Sequence, residues 1–310
     1  MLRIAIYGAG GLGGFYGARL ACAGNDVAFI ARGAHLAAMR ERGLHVSSPL
    51  GDMYLPEPVA TDNPADIGPV DLVLVAVKTW QIPEVGAAMG PLLGERTLVL
   101  PFLNGVEASD ELASTVGAER VLGGLSKVFS KIEAPGVIHH FTPNVFVAFG
   151  ELDGAESGRV RTLVDMFSAA GVDAEASPAI RVELWKKLLL VSSWAGLGAL
   201  ARSPMGVMRE QPGTRALIGR SMDEGLAVAR VTGHAVDPAY KDEMWAFYGT
   251  MPAGATASMQ RDIMDGRPSE LDAWNGAICR FGARAGADTP VHSFTYHTLL
   301  PMERRARGLG

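Results

Sequence analysis

The chain has 310 residues, enough for two domains of about 150 residues each, and its composition of 48% hydrophobic and 20% charged residues is that of an ordinary soluble protein. The formal net charge of −5 offers no positive field for nucleic acid, so we expect no nucleic-acid partner. Cys22 and Cys279 are too few for a disulfide framework and lack metal-ligand spacing, which favours the cytoplasm and predicts no metal site.

Short β-branched runs alternate with helical stretches through the first half of the chain. The run LRIAIY precedes the helical GFYGARLACAG, and DVAFIA precedes a helix over residues 34–42. Two further strands follow at DLVLVAV and TLVLPFL, and the first is apolar at every position after Asp71, as a strand buried on both faces should be. The alternation predicts right-handed βαβ units and therefore a Rossmann-type, doubly wound parallel sheet.

The pattern changes after Val121. GVIHHFTPNVFVAFGE predicts a β-hairpin that extends the sheet with antiparallel strands, and a helix near residues 159–170 and a strand near residues 172–176 follow it. His139 and His140 lie in this hairpin, where alternate side chains point to opposite faces, so we expect no joint metal site.

From about Glu183 the pattern is helical to the end, and its longest uncharged run, residues 188–201, is too short to span a bilayer, so we expect no membrane partner. A short basic tail, expected to be solvated, consists of Arg304, Arg305 and Arg307. We predict an α/β protein with two domains: residues 1–178, a dinucleotide-binding Rossmann domain, and residues 179–310, a mostly α-helical domain for substrate and catalysis. The crevice between two such domains is the expected substrate site.

A glycine-rich turn follows the first strand and opens the first helix, and it consists of Gly8, Ala9, Gly10, Gly11, Leu12 and Gly13. In a dinucleotide-binding turn, Gly8 permits the tight turn, Gly10 lets the backbone approach the pyrophosphate, and Gly13 lets the helix pack on the strand. The helix N-terminus then favours the anion. A glycine-rich turn without a ligand is the alternative, but the strand, helix and second strand in register favour cofactor binding.

The end of the second strand indicates which cofactor binds. A site for NAD carries an acidic residue there for the ribose 2′-hydroxyl. Here the run DVAFIA is followed by Arg32 instead. Its guanidinium suits a 2′-phosphate through charge-assisted hydrogen bonds. We therefore predict NADPH, with an ordinary surface arginine as the alternative.

Several longer stretches resemble the ketopantoate reductase (2-dehydropantoate 2-reductase) family. They are GAGGLGGFYGARLACAGNDVAFIARGAHLAAMRERGL, VAVKTWQ, FLNGV, ELWKKL and SMQRDIMDGRPSELDAWNG, spread over residues 4–276 in the family's order. The resemblance implies an NADP-dependent oxidoreductase that reduces a small 2-oxo acid to the 2-hydroxy acid, 2-dehydropantoate to pantoate, in cytoplasmic pantothenate biosynthesis. The oligomeric state stays open, and a homodimer is one arrangement.

The resemblance also implies roles for residues at two strand ends. Lys78 in VAVKTWQ is similar to the family's lysine on the side of the cofactor and substrate, and Asn104 in FLNGV is similar to the asparagine beside the nicotinamide and the substrate keto group. On the residues alone, each is equally a polar strand end in water, and Asn104-Gly105 is an ordinary turn signal.

Lys187 is the expected general acid, because a ketone that accepts hydride also needs a proton for its developing alkoxide. The family lysine lies in a W-x-K-L run, and this run aligns it with Lys187 rather than with Lys186. Partial burial and cationic neighbours lower the pKa of such a lysine. The alternative is a surface helix on which Glu183 and Lys187 form an i,i+4 pair.

Two polar residues near the end of the resemblance complete the predicted site. Glu270 resembles the glutamate that orients the lysine and the substrate hydroxyl, and Ser258 resembles the serine that binds the substrate carboxylate. As alternatives, Ser269 caps a helix with Asp272 reaching back and Glu270 favoured by the dipole, and Ser258 is a helix-surface serine.

The chain departs from the family where asparagines contact substrate, at positions now held by Val191, Ala195 and Met205. The departure leaves the hydride chemistry in place, but it leaves the identity of the substrate open. The alternatives are a paralogue that reduces a different, more apolar 2-oxo acid or ketone, and a non-catalytic sensor of NADP(H). A sensor needs neither the proton donor Lys187 nor the carboxylate of Glu270.

Overall fold

The computed structural model describes residues 1–309, which divide into two compact units. The first unit comprises Met1–Leu103 and Ala108–Ile180. The second unit comprises Asn104–Glu107 and the chain from Arg181 onward, so four residues from the first half of the sequence belong to it. Within residues 1–309, no helix combines the length and the apolar character needed to cross a membrane.

A five-stranded parallel sheet forms the centre of the first unit, in the order β5-β2-β1-β6-β7. Its strands are β1 (Arg3–Tyr7), β2 (Asp26–Ile30), β5 (Val59–Thr61), β6 (Val70–Val75) and β7 (Leu93–Pro101). The helices of this unit are α1 (Gly11–Cys22), α2 (Gly33–Arg42), α3 (Ile82–Ala88), α4 (Ala108–Val116) and α5 (Gly158–Ala169). The order and direction of the strands confirm the predicted doubly wound sheet.

Both faces of this sheet are buried, as the apolar strands predict. Ile4 and Ile6 of β1 pack into one hydrophobic cluster, together with Phe15 of α1. The alternate residues Ala5 and Tyr7 pack into a second cluster on the other face. Since successive side chains of a strand point to opposite faces, this division shows a layer of apolar side chains on each side of the sheet.

Two smaller sheets complete the first unit. One has the order β4-β3-β10-β9 and the other has the order β12-β11-β8. The strands are β3 (Leu44–Ser47), β4 (Met53–Leu55), β8 (Gly123–Lys127), β9 (Ser130–Ala134), β10 (Val137–His140), β11 (Phe146–Gly150) and β12 (Asp173–Ala176).

The predicted hairpin over GVIHHFTPNVFVAFGE is wrong, because its two strands belong to different sheets. β10 pairs antiparallel with β9 and parallel with β3, whereas β11 pairs antiparallel with β8 and parallel with β12. The turn Pro135-Gly136 explains the difference, since Gly136 has φ +81° and a Pro-Gly turn closes a tight connection back to β9. Along β10 the His140 side chain is fully buried, and that of His139 is 42% exposed.

The second unit is helical, as predicted. Its elements are α6 (Ile180–Ala201), α7 (Met205–Glu210), α8 (Pro212–Val231), α9 (Tyr240–Thr250), α10 (Ser258–Met264), a π-helical turn (Asp272–Gly276), α11 (Ala277–Ala285) and α12 (Pro290–Ala306). Residues 188–199 of α6 are mostly buried, which explains why this long run lacks charge. Large buried side chains of the core include Trp185, Met222 and Trp274.

Candidate active site

The glycine turn between β1 and α1 has the backbone geometry of a nucleotide-binding turn. Gly8 has φ +101°, and a Cβ there would lie 2.7 Å from the carbonyl oxygen of Ala76. A Cβ on Gly13 would overlap the carbonyl oxygen of Gly8, so α1 packs on β1 only with glycine at that position. By contrast, a Cβ on Gly10 would meet no heavy atom of the described residues within 4 Å, which leaves open space where the backbone must approach a pyrophosphate.

The N-terminus of α1 is prepared for an anion. Its N-cap, Gly10, contributes no side-chain hydrogen bond, and the first turn of this fully described helix contains no acidic residue. The backbone N–H groups of a first helical turn and the helix dipole both favour a negative charge. The turn therefore fits the diphosphate of a dinucleotide, and contact through Gly10, Gly11 and Leu12 stays a prediction.

Lys78 lies beside this turn. The N–H of Ala76 donates to the carbonyl oxygen of Tyr7 at 2.8 Å, so the end of β6 runs along the end of β1. Lys78 follows two residues later, half-buried, with its Nζ 5.8 Å from the centre of the Trp80 ring. Its own backbone N–H donates to Gln81 Oε1 at 3.0 Å, which fixes the chain at this strand end.

Arg32 stands at the N-cap of α2, two residues after the end of β2, and an acidic residue that no sequence pattern indicated lies against it. Arg32 Nη2 donates to Glu84 Oε1 at 2.6 Å, and this hydrogen bond raises the pKa of the guanidinium. The two side chains are 56% and 59% exposed. Glu84 lies in the first turn of α3, and no sequence motif links it to Arg32, 52 residues away.

In the second unit, Asn104 and Glu270 are in direct contact. Asn104 Nδ2 donates to Glu270 Oε2 at 2.7 Å, and Glu270 is only 4% exposed. Gly105 has φ +89°, and a Cβ there would lie 3.1 Å from the carbonyl oxygen of Ala273. The Asn104-Gly105 pair is therefore a turn, as its sequence suggests, and the same turn presents the Asn104 amide to a buried carboxylate.

Two residues near the end of α12 hold the backbone next to Glu270. Glu303, which is 4% exposed, accepts hydrogen bonds from the N–H of Ser269 at 3.0 Å and from Ser269 Oγ at 2.5 Å. Arg307 donates to Glu303 Oε1 at 2.6 Å and to the carbonyl oxygen of Ser269 at 2.9 Å. The prediction of a solvated tail is thus wrong for Arg307, because its guanidinium braces the strand of chain that carries Glu270.

The capping alternative for residues 269–272 holds only in part, because Ser269 Oγ accepts a hydrogen bond from the N–H of Leu271 at 3.3 Å. Asp272 Oδ1 accepts hydrogen bonds from Tyr296 Oη and Arg280 Nη1, both at 2.8 Å, rather than reaching back to Ser269. Arg280 Nη2 also donates to Glu107 Oε2 at 2.6 Å. Arg280 therefore ties the segment Asn104–Glu107 to the π-helical turn, and sequence reasoning had no signal for a pair 173 residues apart.

Lys186 and Lys187 occupy different environments on α6. Lys186 Nζ lies 3.0 Å from Glu183 Oε1 and 5.7 Å from the centre of the Tyr240 ring. The Glu183 carboxylate therefore forms an i,i+3 pair with Lys186, whereas the Lys187 side chain, one position further along the helix, is half-buried. The general-acid role of Lys187 stays a prediction.

The remaining predicted positions are placed as follows. Ser258 is the first residue of α10 and is half-buried at that helix N-terminus, so its role with substrate also stays a prediction. Among the three positions that depart from the family, Ala195 and Met205 are fully buried, and Val191 is partly exposed. Two of the three replacements are therefore packed inside the helical unit.

Two family models match this chain, one in each unit. The family model described as ketopantoate reductase PanE/ApbA matches residues 4–154, and the model described as ketopantoate reductase PanE/ApbA C terminal matches residues 179–303. The chain is 30% identical to a 2-dehydropantoate 2-reductase from Mesorhizobium japonicum, over 98% of this chain and 97% of that protein.

Solved structures extend the likeness. A 2-dehydropantoate 2-reductase from Geobacter metallireducens superimposes with a TM-score of 0.90 at 34% identity, over 98% of this chain and all 100% of that one. D-mandelate dehydrogenase in a ternary structure with NADH and anilino(oxo)acetate gives a TM-score of 0.89 at 25% identity, over 98% of this chain and 99% of that one. The chain belongs to the ketopantoate reductase family, and it is an oxidoreductase that uses a nicotinamide cofactor.

Proposed function

We propose that this oxidoreductase reduces a small 2-oxo acid to the 2-hydroxy acid with NADPH, and that 2-dehydropantoate is the substrate. The contact between Asn104 and the buried Glu270 carries the proposal, because it builds a polar site at the two positions where the family resemblance places substrate-binding residues. The 30% identity to a 2-dehydropantoate 2-reductase supports the choice of substrate.

The proposed role of each residue follows from the chemistry of ketone reduction. The reduced nicotinamide, when bound, supplies a hydride to the carbonyl carbon. Lys187 Nζ gives the proton that the developing alkoxide oxygen requires, Asn104 binds beside the keto oxygen, and Glu270 orients the lysine and the substrate hydroxyl. Ser258 and Lys78 bind the substrate carboxylate and the adjoining part of the cofactor, since a cation and a hydroxyl both donate hydrogen bonds to a carboxylate.

NADPH is the proposed form of the cofactor because Arg32 stands two residues after the end of β2, at the N-cap of α2. A guanidinium binds a 2′-phosphate through short charge-assisted hydrogen bonds, whereas NAD-selective sites carry a carboxylate there. The glycine turn, with Gly8, Gly10 and Gly13, serves either cofactor, since it contacts only the diphosphate.

A second candidate substrate is a more apolar 2-oxo acid. Val191, Ala195 and Met205 replace polar family residues, and a buried pocket without hydrogen-bond partners disfavours a hydroxylated substrate. The likeness to D-mandelate dehydrogenase supports the same idea, because mandelate is a 2-hydroxy acid with an apolar phenyl group.

The test is NADPH oxidation, followed by absorbance, with 2-dehydropantoate and with 2-oxo acids of equal bulk that lack its hydroxyl. Since each missing hydrogen bond costs about 1 kcal/mol, a pocket built for the hydroxyl prefers 2-dehydropantoate clearly. A preference for the analogues, including phenyl-substituted ones, supports the apolar candidate instead. No oxidation with any 2-oxo acid would contradict both.

The same proposal extends to the pathway and the cellular location of the enzyme. As a 2-dehydropantoate reductase the chain would act in pantothenate biosynthesis, and the cytoplasm is the expected location. The oligomeric state stays open, and sedimentation of the purified protein would show whether it forms a homodimer.

A further inference from the structure

We propose that Glu84 sets the cofactor preference of this enzyme by competing with the 2′-phosphate of NADPH for Arg32 and by binding the ribose 2′-hydroxyl of NADH. The enzyme then uses both cofactors, and Arg32 alone does not decide between them. This inference rests on the proposed role of Arg32 at the cofactor ribose.

The geometry places Glu84 on the binding edge of the arginine. Glu84 Oε1 accepts from Arg32 Nη2 at 2.6 Å, so a terminal nitrogen of the guanidinium fork that would grip a phosphate already donates to a carboxylate. Both side chains are more than half exposed. Exposed ion pairs are weak, so an incoming ligand can displace Glu84, and the carboxylate then stays close to the ligand because α3 fixes its backbone.

The charge around Arg32 is unfavourable for a phosphate. Glu84 is the main cause of the raised pKa of Arg32, and the charge of Asp62, which directly follows β5, adds a smaller contribution of the same sign. β5 lies beside β2, and the N–H of Ala31 donates to the carbonyl oxygen of Thr61 at 2.9 Å, so Asp62 and Arg32 extend from neighbouring strand ends. A 2′-phosphate with a charge of about −1.5 to −2 enters this environment against repulsion from the carboxylates.

The same arrangement suits NADH. Carboxylates bind the ribose 2′-hydroxyl in NAD-selective sites of this fold, usually from the end of the second strand. Here the second strand supplies Arg32, and the carboxylate comes instead from the first turn of α3. The ribose 2′-hydroxyl is uncharged, so it can donate a hydrogen bond to Glu84 while the ion pair of Glu84 with Arg32 stays formed.

A purely structural role for Glu84 makes a different prediction. An acidic residue in the first turn of a helix is stabilised by the helix dipole. If Glu84 serves only α3, its replacement lowers the free energy of unfolding slightly and changes the affinities for NADPH and NADH by the same factor.

The experiment measures the Kd of NADPH and of NADH by titration of cofactor fluorescence for the wild type and for E84Q, R32A and E41Q. E41Q is the matched control, because Glu41 is an exposed acid of the same unit that pairs at 2.6 Å with a different arginine, Arg42. We expect E84Q to tighten NADPH about tenfold, the size of a like-charge repulsion from a dianion at about 5 Å in a water-like dielectric, and to weaken NADH. E41Q leaves both constants within about twofold.

The outcomes separate this inference from the proposed function. A ratio of NADPH to NADH affinity that stays within twofold in E84Q, while R32A still weakens NADPH selectively, overturns the role of Glu84 and leaves the proposed role of Arg32 standing. Equal losses for both cofactors in R32A contradict the role of Arg32, and they also overturn the competition for it. A raised ratio in E84Q, with selective loss of NADPH in R32A, supports both.

Discussion

The glycine turn of the first unit and the carboxylate site of the second are built in opposite ways. The turn uses backbone atoms of six consecutive residues, and its specificity lies in missing side chains, such as the absent Cβ of Gly13. The carboxylate site uses side chains that lie far apart in sequence, and Asn104 meets Glu270 across 166 residues. A local backbone site forms with its own βαβ element, whereas the distant side-chain site depends on the packing of the whole helical unit.

This contrast predicts how each site tolerates substitution. The glycine turn should lose stability or cofactor affinity when a side-chain atom is added to it. The carboxylate site should lose activity when a side chain is removed from it. The four predictions that follow test this contrast, beginning with the largest expected effect.

Removal of a side chain in the second unit is expected to stop catalysis and to leave the first unit intact. Lys187→Ala should lower kcat by about two to four orders of magnitude, the usual contribution of a general acid. Cofactor affinity, measured by fluorescence titration, should survive because the glycine turn belongs to the other unit. Lys186→Ala is the control and should be mild, since Lys186 is engaged with Glu183 and Tyr240. A large loss of kcat in the Lys186 variant together with a small loss in the Lys187 variant would show that Lys186 is the general acid instead.

Buried polar side chains should make the second unit sensitive to acid. His292 is fully buried, its Nε2 donates to the carbonyl oxygen of Ser221 at 3.0 Å, and its Nδ1 accepts from Asn275 Nδ2 at 3.0 Å, so the ring is neutral in the folded chain. Burial lowers the pKa of His292 from 6.5 to about 4. Between these values the unfolded chain binds a proton that the folded chain does not, and the free energy of unfolding therefore falls as the pH drops through this range.

The His292 contribution to this loss should reach about 2 kcal/mol between pH 6.5 and 4.5. Denaturant unfolding of the wild type and of His292→Gln at both pH values isolates it, because the variant lacks the titrating ring. Glu224 shifts the dependence in the opposite direction in both proteins, since burial raises the pKa of its carboxyl. A wild type and a variant that lose stability equally on acidification would contradict the prediction.

Addition of one methyl group should distinguish two glycines of the turn. Gly13→Ala places a Cβ on the carbonyl oxygen of Gly8, so it should lower the free energy of unfolding by about 1–3 kcal/mol, as overpacking does. Gly10→Ala, the matched variant, places its Cβ in open space and should nearly keep the stability of the wild type while it weakens both cofactors. Thermal unfolding and cofactor titration of the pair check this. Equal destabilisation by both substitutions would show that the space at Gly10 is structural.

The smallest expected effect concerns the anchor of Asn104. Glu107→Gln weakens the pair with Arg280, which is about a third exposed, so kcat/KM for the 2-oxo acid should fall by about fivefold or less. Asp272→Asn is the control, because it removes another partner of Arg280 and keeps the 2.6 Å contact with Glu107. An effect confined to stability, with kcat/KM unchanged, would make Glu107 a structural residue only.

The two regions also differ in what could be predicted from the sequence. The glycine turn and the parallel sheet follow from local patterns, because periodicity and glycine spacing act within about 30 residues. The contact of Glu84 with Arg32, that of Glu107 with Arg280, and the contacts of Glu303 and Arg307 with Ser269 could not be found in this way, since they depend on tertiary packing. Only the i,i+4 pair of Glu303 and Arg307 is local. The hairpin prediction is wrong for a local reason, because the turn Pro135-Gly136 pairs β10 with β9, whereas the second apolar run, β11, pairs with β8 in another sheet.

The short segment Asn104–Glu107 has a consequence for protein engineering. A chimera that joins the first 180 residues of one family member to the remainder of another carries this segment with the wrong partner, because these residues fold with the second unit. Such a chimera would set a foreign asparagine against Glu270 and a foreign acid against Arg280. An exchange of substrate specificity by recombination therefore needs three crossover points, two around residues 104–107 and one near residue 180, where a single cut looks sufficient on the linear gene.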